Sequence, residues 1–174
     1  MSLHQQDLSG TPVPLPPLKR IEWEPILAPK GVWSALVTPG SSPDRVHRHA
    51  AGMVYLSTPY QLEAQIRGAW HIDASVRAST LASVEVARLA AAGVTAIAPS
   101  VMRAEVAHAR VLVEDAPEPL DAAYWAEWSM PILRLARLLV IPAIAGWDRC
   151  PLVWRDLRHA LAHNVPVHVY GETA

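Results

Sequence analysis

With 174 residues, half of them hydrophobic, the chain can bury one sizeable core but is too short for two domains of ordinary size. A formal net charge of −1, with acids and bases interspersed, excludes a strong electrostatic draw toward nucleic-acid backbones or anionic membranes. A single cysteine, Cys150, excludes an intramolecular disulfide and suits a reducing cytoplasm, and no apolar run reaches the ~18 residues that span a bilayer.

The first fifty residues carry Pro12, Pro14, Pro16, Pro17, Pro25, Pro29, Pro39 and Pro43. Proline removes a backbone donor and breaks helices, so residues 1–50 are expected to form an extended or irregular arm, with no secretory signal at its start. Ile21, Trp23, Ile26, Leu27, Val32, Trp33, Leu36 and Val37 would anchor this arm on the domain that follows, residues 51–174, or on a neighbouring subunit. His47-Arg48-His49 has no cysteine or carboxylate cluster beside it and reads as a solvated run, not a metal site.

From Met53 the pattern changes. A first strand, Met53 to Leu56, runs into the loop Ser57-Thr58-Pro59-Tyr60. Val76, Leu81, Val84, Ala87, Leu89 and Ala92 then recur at helical spacing up to Gly93, which suits a helix end. Val94 to Ala98 reads as a second strand closed by Pro99, Glu105 to Val113 as a short helix, and Glu114 to Pro119 as an acidic loop. Asp121 is placed to cap a helix bearing Trp125, Trp128, Ile132, Leu133 and Leu135, kinked or restarted at Pro131. Leu138 to Ile141 is the third strand. Pro151 opens a last helix that runs to about His163 and stops near Asn164, before a final strand from Pro166 to Tyr170.

Strands alternating with helices predict an α/β fold, a Rossmann-like or flavodoxin-like open parallel sheet with helices on both faces. Counted from Met53, right-handed crossovers favour the strand order 2-1-3-4. The first and third strands are then neighbours, and the loops after Leu56 and Ile141 face one crevice.

On the last helix Val153, Leu157, Ala160 and Leu161 form the core stripe, and Asp156 lies about 100° from it, at the border where a carboxylate can face a crevice. Trp125, Trp128 and Trp147 are candidates for an aromatic wall on which a base stacks, or else for core packing. His159 and His163, four apart, lie away from that stripe as surface residues. Cys150 at a helix start has no histidine beside it to act as a base.

The strand and loop from Met53 to Tyr60, the strand Leu138 to Ile141 and the helix around Asp156 together resemble the nucleoside 2-deoxyribosyltransferase-like superfamily, and within it the DUF1937 family, over roughly residues 53–170. The resemblance implies an N-glycosyl transferase or hydrolase with a carboxylate nucleophile, which falls on Asp156. It also implies that Tyr55, Ser57, Thr58, Pro59 and Tyr60 contact sugar or base, with Trp125, Ser129, Trp147 and Asp148 as further substrate contacts. Neither a metal nor an organic cofactor is expected, the ligand would be a nucleoside or nucleotide, and the assembly a homo-oligomer. Cys150 and Leu152 stand where the family has serine and glycine, Ser129 where it has aspartate, and Ala136-Arg137 where it has Cys-Asp. Three readings follow: an enzyme in which Glu127, Asp148 or Glu105 serves as acid/base partner, a binding module that keeps the crevice for a nucleotide-derived ligand, or an interaction protein working through its arm.

Overall fold

The computed structural model describes residues 13–171. In chain order the elements are α1 (Glu24–Leu27), β1 (Val37–Ser41), α2 (Pro43–His49), β2 (Val54–Leu56), α3 (Tyr60–Glu63), β3 (Gln65–Ile66), β4 (Ala69–Trp70), α4 (Ile72–Ala91), β5 (Ala96–Ile97), α5 (Pro99–Ala109), α6 (Ala122–Leu135), β6 (Leu138–Ile141), α7 (Pro151–Ala162) and β7 (Val167–Tyr170). Five strands form a parallel sheet in the order β1-β7-β6-β2-β5, while β3 and β4 make a separate antiparallel hairpin.

The middle of the sheet follows from composition. Every residue of β2 and β6 is buried, as expected of apolar parallel strands covered on both faces. One face packs under Val153, Trp154 and Leu157 of α7 and Leu133 of α6, joined by Ile26 and Trp33 from the N-terminal segment. The other packs under Val46 of α2 and Ala82 and Leu89 of α4. β5, β2, β6 and β7 stand in the order expected from the sequence, with β2 and β6 side by side.

Several expectations are corrected. The segment before residue 51 is not irregular throughout: β1 joins the sheet at its edge beyond β7, and α1 and α2 are short helices. Proline permits this because Pro25 and Pro43 occupy the first turns of their helices, where the missing N–H costs nothing, and Pro39 sits in an edge strand whose register shifts around it. Trp33 is buried in the core, and Trp23 packs edge-on against Trp147 and Trp154 at centroid distances of 4.6 and 5.1 Å. Pro12 lies outside the described residues.

Pro99 does not merely end a strand; it starts α5, six residues ahead of the expected helix, and a single 3-10 turn over Arg110–Leu112 follows. In α4 the buried face combines small residues, Ala74, Ser75, Ala78, Ser79 and Ala82, with Glu85 and Leu89; Ala78 packs with Tyr60, Ala64 and Ala104, Ala82 and Leu89 pack against the sheet, and Val76, Leu81 and Val84 are exposed instead. Pro131 neither stops nor restarts α6, which is continuous from Ala122 to Leu135.

Candidate active site

A crevice opens at the carboxyl ends of β2 and β6, lined by Tyr55, Ser57, Thr58, Tyr60, Arg103, Trp125, Trp128, Ser129, Arg155 and Asp156, among others. Three local features build it. The chain leaves β2 with the Ser57 N–H still bonded to the Val140 carbonyl at 2.9 Å, so the serine is fixed to the neighbouring strand. Pro151 begins α7, placing Asp156 in its second turn. Asp121 caps α6 by accepting the N–H groups of Ala123 and Tyr124, each at 3.0 Å, which aims Trp125 and Ser129 at the same space.

Asp156 is the centre of this cluster. It is only 4% exposed, deeper than a border position suggests. One carboxylate oxygen accepts the Ser57 hydroxyl at 2.7 Å, and the other accepts Arg155 Nε at 3.1 Å and Nη2 at 2.5 Å. Arg155 Nη2 also donates to the Ser129 hydroxyl at 3.1 Å, and the Tyr55 hydroxyl hydrogen-bonds to both Asp156 and Ser129. Burial raises the Asp156 carboxyl above its ordinary value, while Arg155, Ser57 and Tyr55 hold it down by favouring the ionised form. Burial likewise pushes the Tyr55 phenol well up, and the Asp156 charge beside it adds to the effect.

Opposite this network lies Arg103 of α5, a residue sequence reasoning did not single out. Its Nε and Nη2 donate to the Pro119 carbonyl and Nη2 also to Gln61 Oε1 at 2.9 Å. Its guanidinium stacks over Tyr60 at 4.8 Å and Trp125 at 5.2 Å from the ring centroids. Trp125 Nε1 and Gln61 Nε2 bind the Glu118 and Leu120 carbonyls at 2.9 and 2.8 Å, so three successive carbonyls of the acidic loop are strapped to crevice side chains. Arg103 lies on α5 ahead of Glu105, where the sequence predicts no helix, and its packing on Tyr60 and Trp125 leaves no local sequence signal.

Of the residues singled out from sequence, Asp156, Tyr55, Ser57, Thr58, Tyr60, Trp125 and Ser129 are brought together in the crevice. Pro59, Trp147 and Asp148 are not in its lining. The Pro59 carbonyl accepts the N–H groups of Leu62 and Glu63 to start α3. Trp147 is held by Trp23, whose indole N–H donates to the Asp148 carbonyl at 2.6 Å. Glu105, Glu127 and Asp148 are all exposed and none lines the crevice. Cys150 is buried, and burial raises its thiol instead of activating it. Among the described residues no group of three or more His, Cys, Asp or Glu is placed to hold a metal ion, and no helix is long and apolar enough to cross a membrane.

Residues 52–172 match the family model for DUF1937, a domain of unknown function. The chain belongs to the DUF1937 family. No curated protein and no solved structure matches it.

Proposed function

We propose that this DUF1937 chain belongs to the nucleoside 2-deoxyribosyltransferase-like superfamily and cleaves or exchanges the N-glycosidic bond of a nucleoside or nucleotide, with Asp156 as nucleophile. The observation that carries this reading is a single buried carboxylate at the carboxyl end of adjacent central strands, oriented by Ser57 and Tyr55 and paired with Arg155. Such an oxygen suits a reaction whose transition state carries positive charge at the anomeric carbon. As the C1′–N bond breaks, its electron pair leaves with the base while an Asp156 oxygen bonds to C1′. Water or a second base then attacks C1′ and frees the carboxylate.

Among the described residues no second carboxylate lines the crevice, so the departing base takes its proton from water and good leaving groups are favoured. The crevice is half-open and its free space is about 40 Å³, enough for a few waters and not for a whole nucleoside. Substrate entry therefore requires the crevice to open, and the strapped loop through Glu118, Pro119 and Leu120 is the segment that would yield. The same closure and the lone acid favour a second reading, a crevice that binds a nucleotide-derived ligand without turnover. Exposed Ile72, Val76, Leu81 and Val84 on α4 give apolar surface for the proposed homo-oligomer.

The test is release of free base from a panel of nucleosides and nucleoside monophosphates, followed chromatographically, in the wild type and in Asp156→Asn. Turnover lost in the variant supports the nucleophile; ligand binding without turnover in either protein leaves the binding module; neither binding nor turnover removes both.

A further inference from the structure

The charges of the crevice do not balance. Among the described residues its charged lining consists of Arg103, Arg155 and Asp156, two cations against one anion. Arg155 pairs with Asp156, whereas Arg103, only 4% exposed, makes no ion pair with a carboxylate among the described residues and feels the Asp121 charge only beyond ion-pair range. The groups it touches directly are neutral: the Gln61 amide, the Pro119 carbonyl and two aromatic faces. Three of its five N–H donors are taken, and the two on Nη1 have no hydrogen bond among the described residues. Across the crevice Arg155 Nη1 is buried and also lacks a partner. A buried guanidinium with no ion-pair partner is costly, and the buried, partnerless Nη1 of Arg155 is rare enough to call for an acceptor. Beside Arg103, the Thr58 hydroxyl donates to Ser100 at 2.7 Å in the first turn of α5, adding two hydroxyls to the same lining.

We infer that the crevice binds a phosphate monoester, so that the substrate is a nucleoside 5′-monophosphate and not the free nucleoside, with Arg103 as the principal phosphate contact. The inference rests on the proposed N-glycosidic reading for the sugar and base, but the phosphate contact can be tested alone. A dianion supplies the missing countercharge, and its oxygens accept from the idle Nη1 donors in charge-assisted hydrogen bonds. Burial lowers Arg103 to about 10, so it remains charged throughout the neutral range.

The experiment compares ribose 5-phosphate with ribose by titration calorimetry on the full chain, then a nucleoside with its own 5′-monophosphate in the base-release assay. Wild type is expected to bind ribose 5-phosphate at least tenfold more tightly than ribose, with an advantage that shrinks as salt rises. Arg103→Gln should bring the two affinities close together, while Arg103→Lys, which keeps the charge, retains part of the difference. Equal wild-type affinities for the two sugars overturn the inference, and that result needs no variant to fold. A preserved ratio in a folded Arg103→Gln overturns it too. Selective ribose 5-phosphate binding with no base released from any substrate upholds the phosphate site and removes the glycosidic reading. Base release that is equal for nucleoside and monophosphate does the reverse.

Discussion

Two polar clusters lie buried on opposite faces of one sheet, and they are built on different electrical terms. Under α6 and α7, Tyr55, Ser57, Ser129, Arg155 and Asp156 form a charged network beside a crevice. Under α2, His168 of β7 accepts or donates at both ring nitrogens, to Ser41 at 2.6 Å and to His49 at 3.2 Å. There burial and the neighbouring His49 and Arg45 depress the imidazole to about 4, so the ring is neutral near pH 7. A neutral, doubly satisfied histidine between strand and helix is a cross-brace. The crevice keeps an ion pair, an unbalanced arginine and idle donors, which a brace does not need.

The sharpest way to break this contrast is Asp156→Asn. Loss of the nucleophile should lower base release by at least ~10³-fold. Because Asp156 is buried and paired, the change also leaves Arg155 uncompensated and should cost about 3 kcal/mol, read from urea denaturation. A border aspartate would have been nearly free to remove, so an unchanged midpoint would show that the pair contributes nothing. Full base release in the variant would end the nucleophile assignment.

pH separates the clusters in sign. Asp156 has a raised value in the fold, so its contribution to stability is present below its ordinary carboxyl range and is lost as pH rises through the folded value. His168 is depressed from 6.5 to about 4, so its contribution is full above 6.5 and is lost as pH falls toward 4, a loss on the order of 2 kcal/mol. Melting temperatures across pH 4 to 7 should therefore lose their rising slope in His168→Gln and become steeper in Asp156→Asn. The acid limb of base release should lie above the ordinary carboxylate range, and Arg155→Met should move it higher still, by removing the cation that favours the ionised form.

The sequence revealed the crevice better than its contents. Apolar runs at β2 and β6 and the stop signals at Gly93 and Asn164 specify a parallel sheet, and adjacency of the first and third strands follows from handedness. That adjacency brought the loop after Leu56 and the start of the last helix to one crevice, and the family resemblance singled out Tyr55, Ser57 and Asp156 there. Arg103 and Arg155 stayed hidden because a lone arginine on a helix has the same local signature whether solvated or buried; only packing against Tyr60 and Trp125 distinguishes it. The edge strand was hidden by Pro39 and Gly40, which speak against a central strand and not against an edge. Trp147 was misleading for the opposite reason: its loop follows β6 as expected, but Trp23 of the N-terminal segment occupies the ring.

The smallest expected effect tests the comparison most cleanly, because one oxygen atom is removed from each face of the sheet. Tyr55, on β2, has its hydroxyl bonded to Asp156 and Ser129 in the crevice network. Tyr170, on β7, faces the other side near Glu85 and has a buried hydroxyl with no partner. A hydrogen-bonded buried hydroxyl contributes about 1 kcal/mol net, whereas an unpaired one carries its desolvation penalty with nothing to offset it. Tyr55→Phe should therefore destabilise by about 1 kcal/mol and slow base release by loosening the hold on Asp156. Tyr170→Phe should be neutral or stabilise by up to ~1 kcal/mol, with base release unchanged. Urea midpoints of the two variants should move in opposite directions from wild type. Equal losses in both would mean that the Tyr170 hydroxyl is satisfied in solution, for instance by a water shared with the likewise unpartnered Oε2 of Glu85, and the two faces would then differ in charge alone.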